Sequence, residues 1–167
     1  MTTEDNLIYT FLTGMGATAM IDLWALARRR LLGVPLPNYA LVGRWIAHLA
    51  RGRMHHDSIA ATPKVGGERA VGWFAHYFIG IAFASMLPVV WGSGWFRAPE
   101  VLPALIVGIV SVAAPFLIMQ PAMGSGFAAS RAPRPVAARI QSLVTHGIFG
   151  LGLFGAGLFV NKLLTGE

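Results

Sequence analysis

The chain has 167 residues, of which 55% are hydrophobic and only 12% charged, and its net charge is +6. Its mean hydropathy is +0.61. This composition excludes a disordered chain and is unlike that of a soluble domain, in which about a quarter of the residues are charged. Because the chain has no cysteine, its composition also excludes disulfides and every site that needs a thiolate ligand.

Four apolar segments stand out along the chain, and each has close to the ~20 residues that cross a bilayer as a helix. They lie at residues 7–27, 70–91, 101–123 and 142–164. We therefore predict an all-α fold in which a single membrane domain, residues 1–167, forms a four-helix integral membrane bundle. Loops of about residues 28–69 and 124–141 connect the spans on one side.

The basic residues predict the orientation of these spans. Of the 13 Lys and Arg residues, all but Arg97 and Lys162 lie in the loops 28–69 and 124–141. The positive-inside rule places such loops in the cytoplasm and hence both termini outside. A signal peptide has its basic residues before the apolar run, whereas here Arg28, Arg29 and Arg30 follow it.

A short amphipathic helix is predicted in the first loop. Its apolar side carries Leu41, Val42, Trp45, Ile46 and Leu49. Arg44, His48 and Arg51 fall on the opposite side, which is typical of a helix lying in the headgroup plane. We expect Arg44, Trp45 and Arg51 to contact anionic lipid headgroups. The alternative is a helix packed on the cytoplasmic face of the bundle.

The segment that follows this helix contains His55, His56 and Asp57. Two imidazoles and a carboxylate are suitable ligands for a divalent metal. Adjacent residues do not share a helix face, however. We therefore expect a solvated loop here.

Each predicted span also carries one strongly polar residue, and these four define an intramembrane polar cluster: Asp22, His76, Gln120 and His146. All four are expected in the cytoplasmic third of the bilayer. Small residues flank them at helical spacing, as Gly72 and Gly80 do around His76. Such spacing favours close helix packing, so the cluster is predicted to face the bundle interior. Polar groups in a membrane are costly and therefore indicate a role.

Three interpretations of the polar cluster remain open. In the first, hydrogen bonds among its members hold the helices in register. In the second, a histidine beside a carboxylate handles protons or ions. In the third, Asp22, His76 and His146 bind iron or zinc, or His76 and His146 are axial ligands of a haem.

Four runs of the sequence resemble an uncharacterised, domain-of-unknown-function family of small bacterial inner-membrane proteins. They are GATAMIDLW (16–24), YALVGRW (39–45), ERAVGWFAHY (68–77) and QPAMG (120–124). A more distant similarity, to the YagU-like membrane proteins, covers the stretches that follow His76 and His146. The closer resemblance implies the fold and a bacterial inner membrane, and the basic loops then predict that both termini are periplasmic. The distant one implies at most a role in acid tolerance, and neither implies a catalytic residue.

Together these features predict a multi-pass protein that is non-enzymatic, either an accessory subunit of a larger membrane complex or a small proton-coupled or ion-coupled transport unit. The alternative is a membrane enzyme, or a metal or haem protein, that uses Asp22, His76 and His146. The expected partners are the bilayer, anionic lipids at the cytoplasmic face and further copies or subunits. No nucleic acid and no cofactor are expected.

Overall fold

The computed structural model describes residues 2–166, and in this part of the chain all regular structure is helical. The α-helices are α1 (Thr3–Leu32), α2 (Tyr39–Leu49), α3 (Glu68–Ala84), α4 (Met86–Trp91), α5 (Gly94–Arg97), α6 (Val101–Val110), α7 (Gln120–Ala122) and α8 (Pro135–Thr165). A π-helical segment, Pro115–Met119, precedes α7, and short 3₁₀ turns lie at Ile59–Ala61 and Phe127–Ala129.

Four helical stretches are long and apolar enough to cross a membrane, which confirms the predicted fold class. They are Thr3–Leu32, Glu68–Trp91, Val101–Ala122 and Pro135–Thr165. The predicted loop helix is also present, as α2. The first stretch has clear end signals: the Thr2 hydroxyl accepts from the Asp5 amide, and Gly33 ends the helix with φ of 64°.

Proline interrupts two of the stretches that the sequence predicts as continuous spans. Residue 85 separates α3 from α4, because Pro88 has no N–H to donate to the carbonyl of Ala84. Pro115 opens the π-helical segment before Gln120. A π-segment leaves backbone groups out of the regular ladder, and such segments are frequent at functional sites.

The helices group into two compact units. The first contains the described residues up to Leu36, then Tyr77–Ser111, then the described residues from Val144 onward; the second contains Pro37–His76 and Val112–Leu143. The prediction of a single domain stays a prediction.

Glycines let the helices of the first unit approach closely. A Cβ added at Gly14 of α1 would lie 2.6 Å from the Cα of Ile81 in α3, and one at Gly108 of α6 would lie 2.6 Å from the Cα of Gly150 in α8. Around these crossings lies an apolar core, whose largest fully buried members are Phe96, Leu87, Leu153 and Val107. This packing positions the polar side chains of α1, α3, α6 and α8 in the first unit.

In the second unit, α2 lies directly against the start of α3. A Cβ at Gly43 would overlap the carbonyl oxygen of Glu68, and one at Gly72 would overlap that of Tyr39. Backbone hydrogen bonds hold the loop after α2 against the end of α7, from the His56 amide to Ala122 at 2.9 Å and from the Ile59 amide to Met123 at 3.1 Å. These contacts fix residues that the sequence predicts to be solvated.

Candidate functional site

Helices α1 and α3 meet through a carboxylate and a phenol. The Tyr77 hydroxyl donates a hydrogen bond of 2.9 Å to Oδ2 of Asp22. Both side chains are half-buried. Interhelical hydrogen bonds in membrane proteins contribute about 1 kcal/mol each and fix which helix faces meet. Asp22 was predicted from the sequence as a polar-cluster residue, whereas its partner Tyr77 was not.

Helices α6 and α8 meet through a serine and a histidine. The Ser111 hydroxyl donates to the carbonyl of Gly108 at 2.6 Å, and its oxygen lies 2.7 Å from Nδ1 of His146. Because the hydroxyl has a single proton and gives it to a carbonyl, Nδ1 of His146 must be the donor of the second bond. The neutral imidazole is therefore assigned as the Nδ1–H tautomer.

This tautomer leaves the lone pair of His146 on Nε2. Within residues 2–166 that nitrogen has no hydrogen-bond partner, while the ring is held by Ser111, which is itself 1% exposed. A fixed neutral imidazole with an open Nε2 can accept a proton or bind a ligand.

His76 belongs to an aromatic group in the second unit. Its ring stacks on Tyr39, with centroids 4.1 Å apart and planes at 22°, and it meets Trp73 edge-on at 5.9 Å. Gln120 lies immediately after the π-helical segment, and its Oε1 is buried with no hydrogen-bond partner in the described part of the chain.

The structure gives each cluster member a different local setting. Asp22 and His146 belong to the first unit, whereas His76 and Gln120 belong to the second. That the four meet in one interior site stays a prediction. Among the described residues no group of three His, Cys, Asp or Glu side chains is placed to hold a metal ion. The metal site of Asp22, His76 and His146 therefore stays a prediction too and gains no support.

Arg44 differs from its predicted role at the lipid headgroups, because it is buried and ion-paired. It is 4% exposed, and its Nε and Nη2 donate to the two carboxylate oxygens of Glu68 at 2.7 and 2.9 Å. Its Nη1 donates to the carbonyl of Thr62 at 2.8 Å. The hydrogen bonds to Glu68 raise the pKa of Arg44 above its usual value. The contact arises because Gly43 brings the backbone of α2 against the first turn of α3.

The other two predicted headgroup residues remain nearer the surface. Trp45 is half-buried, and its indole N–H donates to the carbonyl of Met54 at 3.0 Å. Arg51 is exposed just beyond the end of α2.

The expectation of a solvated loop is wrong for His56. This side chain is 2% exposed, and its Nε2 lies 2.8 Å from Nδ1 of His48. Burial, together with the neighbouring Arg53 cation, lowers the pKa of His56. His55 and Asp57 are exposed as expected. The pairing with His48 spans the end of α2, and sequence spacing alone gave no sign of it.

These observations define the class of the protein: an all-helical chain with four helices suited to a membrane and with polar pairs joining them. A family model described as a protein of unknown function, DUF2938, matches residues 11–160. The chain belongs to this family, which confirms the resemblance to an uncharacterised family. Neither the curated proteins nor the solved structures contain a match.

Proposed function

We propose that the protein is a non-enzymatic, multi-pass protein of the bacterial inner membrane, with the loops 28–69 and 124–141 in the cytoplasm and both termini in the periplasm. The four long apolar helices and the concentration of Lys and Arg in the two loops support this location. Eight loop cations are exposed and suited to anionic headgroups: Arg29, Arg30, Arg51, Arg53, Lys64, Arg69, Arg131 and Arg134.

Within that membrane setting we propose a proton-handling role, as a small proton-coupled transport unit. The observation that carries it is the fixed Nδ1–H tautomer of His146, which leaves Nε2 open as a base on a helix long enough to span the bilayer. Histidine is the side chain best suited to this role, because a free imidazole titrates nearer to neutral pH than any other side chain.

The geometry suggests what each group does in this role. Nε2 of His146 accepts the proton, while Nδ1–H keeps its bond to Ser111 and so holds the ring orientation in both charge states. The Gly108 carbonyl fixes the serine in turn. Asp22, which accepts from Tyr77, is the second proton-accepting group of the same unit.

The proton-handling proposal predicts a loss of proton flux when His146 is replaced. In vesicles that contain the purified protein and an internal pH-sensitive dye, the wild type should dissipate an imposed pH gradient faster than protein-free vesicles. The His146→Gln variant should fall to nearly the protein-free rate, because glutamine keeps polar groups at this position but has no titratable nitrogen.

His55→Gln provides the matched control, since His55 is an exposed histidine outside the four long apolar helices. It should conduct as the wild type does. Equal rates for wild type and His146→Gln would exclude His146 as the proton-accepting group.

An accessory subunit is the second candidate function, and one feature of α8 favours it. A Cβ added at Gly155 would meet nothing within 4 Å, so this helix offers an open small-residue position to another helix. A wild-type flux that is no faster than that of protein-free vesicles would favour this candidate over the transport unit.

A further inference from the structure

A second buried arginine, Arg28, lies near the end of α1 and has no acidic partner. Its side chain is 8% exposed, and within residues 2–166 its guanidinium makes no ion pair and no hydrogen bond. Its Nε is fully buried and unpartnered. Arg44, at 4% exposure, instead has both oxygens of Glu68. Burial of an uncompensated charge is expensive, so Arg28 requires a counter-ion, and none of residues 2–166 supplies one.

Trp24 adds a second unused donor next to Arg28. The two residues are four apart on α1 and so share a face, and the Arg28 guanidinium carbon lies 5.9 Å from the centre of the Trp24 ring. The indole Nε1 of Trp24 is also buried without a partner. Indole and guanidinium groups donate hydrogen bonds and accept none. The missing partner must therefore present acceptor oxygens and a negative charge.

The position of this pair indicates the kind of anion. Trp24 and Arg28 lie in the last turns of a 30-residue helix that is apolar enough to cross a membrane, and the exposed Arg29 and Arg30 follow them. The carbonyl end of a helix repels anions, so the side chains must provide the recognition. Arginine forms strong charge-assisted bonds with phosphate oxygens.

We propose that Trp24 and Arg28 bind the phosphate group of an anionic membrane lipid. Only Nε of the Arg28 guanidinium is fully buried without a partner. The two terminal nitrogens are therefore accessible to an approaching phosphate. The binding site rests on the proposed membrane location, and it assigns to Arg28 the headgroup contact that the sequence predicted for Arg44.

Lipid binding to the purified protein tests the proposal. Phosphatidylglycerol is titrated into protein in a neutral detergent, with phosphatidylcholine, a zwitterion of no net charge, as the comparison, and bound lipid is counted by native mass spectrometry. Arg28→Gln should bind phosphatidylglycerol at least about tenfold more weakly than the wild type, as expected from the loss of a charge-assisted hydrogen bond. Arg29→Gln removes the same charge from an exposed neighbour and should bind nearly as the wild type does.

Two further measurements distinguish lipid binding by Arg28 from a purely structural role of this residue. Without lipid, Arg28→Gln should be at least as thermally stable as the wild type, because an unpaired buried charge is removed. Trp24→Phe keeps an aromatic ring but removes the indole N–H, and it should weaken phosphatidylglycerol binding severalfold. Unchanged binding in both Arg28→Gln and Trp24→Phe would overturn the site.

A comparison with inorganic phosphate shows whether the bound anion is a lipid headgroup or soluble phosphate. If phosphate alone protects the wild type against heating as well as phosphatidylglycerol does, and Arg28→Gln loses that protection, the site belongs to soluble phosphate and the lipid assignment is wrong. A protein absent from the membrane fraction would overturn the proposed location together with this site. A membrane-embedded protein whose lipid binding does not depend on Arg28 would overturn the site alone.

Discussion

Replacing Gly43 with alanine should destabilise the protein by about 3 kcal/mol, since overpacking typically costs 1–3 kcal/mol and here the added atom meets backbone. The new Cβ would overlap the carbonyl oxygen of Glu68, and α2 can avoid it only by moving away from α3. Alanine is otherwise the better helix former by about 1 kcal/mol, so helix propensity alone predicts the opposite sign. Thermal unfolding of the purified variant in detergent, followed by circular dichroism, measures the effect.

Gly66→Ala is the control for this experiment. Gly66 lies shortly before α3, its backbone is not left-handed, and a Cβ there would meet nothing within 4 Å. Its replacement should leave the unfolding temperature within about a degree of the wild type, since surface substitutions of this kind change stability little. An unchanged or raised unfolding temperature for Gly43→Ala would show that α2 does not pack on α3 in this way.

Replacing Glu68 with glutamine should lower the unfolding temperature by about 5–10 °C, as expected when one partner of a buried ion pair is removed. The substitution leaves Arg44 buried without a counter-ion, and it leaves a single amide oxygen to accept the hydrogen bonds that Arg44 and the Val65 amide now give to two carboxylate oxygens. Arg44 also donates hydrogen bonds to the carbonyls of Ile59 and Thr62 in the preceding loop. Limited proteolysis should therefore show earlier cleavage between residues 53 and 67.

A double-mutant cycle separates the ion pair from general damage to the loop. The losses from Arg44→Met and Glu68→Gln should sum to more than the loss in the double variant, because either single change already breaks the pair. Arg51→Gln, which removes an exposed arginine, is the matched control. Strict additivity of the two losses, or a wild-type unfolding temperature for Glu68→Gln, would contradict a stabilising pair.

The fold was largely predictable because its signals are local. Length and hydropathy mark the four long helices, and the spacing of apolar residues marks α2, which the structure confirms. The role of Arg44 was not predictable in the same way. A helical stripe shows which side of α2 is polar, but it does not show that the side chain meets Glu68, which lies in another helix.

The candidate site was predictable only in part, for a related reason. A charged or titratable residue in an apolar run is conspicuous, so Asp22 and His146 could be singled out. Their partners Tyr77 and Ser111 are common in apolar helices, and only the packing of α1 on α3 and of α6 on α8 reveals them. Arg28 was used only to predict the topology, because the sequence does not show that this residue lacks an acidic partner.

Cysteine accessibility tests the proposed orientation in the membrane most directly, because the natural chain contains no cysteine. Single cysteines replace the exposed residues Ser58, Ala98 and Ser130, and bacterial cells whose outer membrane has been removed are treated with a membrane-impermeant maleimide. Ala98→Cys should react while the inner membrane is intact, whereas Ser58→Cys and Ser130→Cys should react only after it is permeabilised. Labelling of Ser58→Cys and Ser130→Cys while the inner membrane is intact, or recovery of the protein outside the membrane fraction, would contradict the proposed orientation.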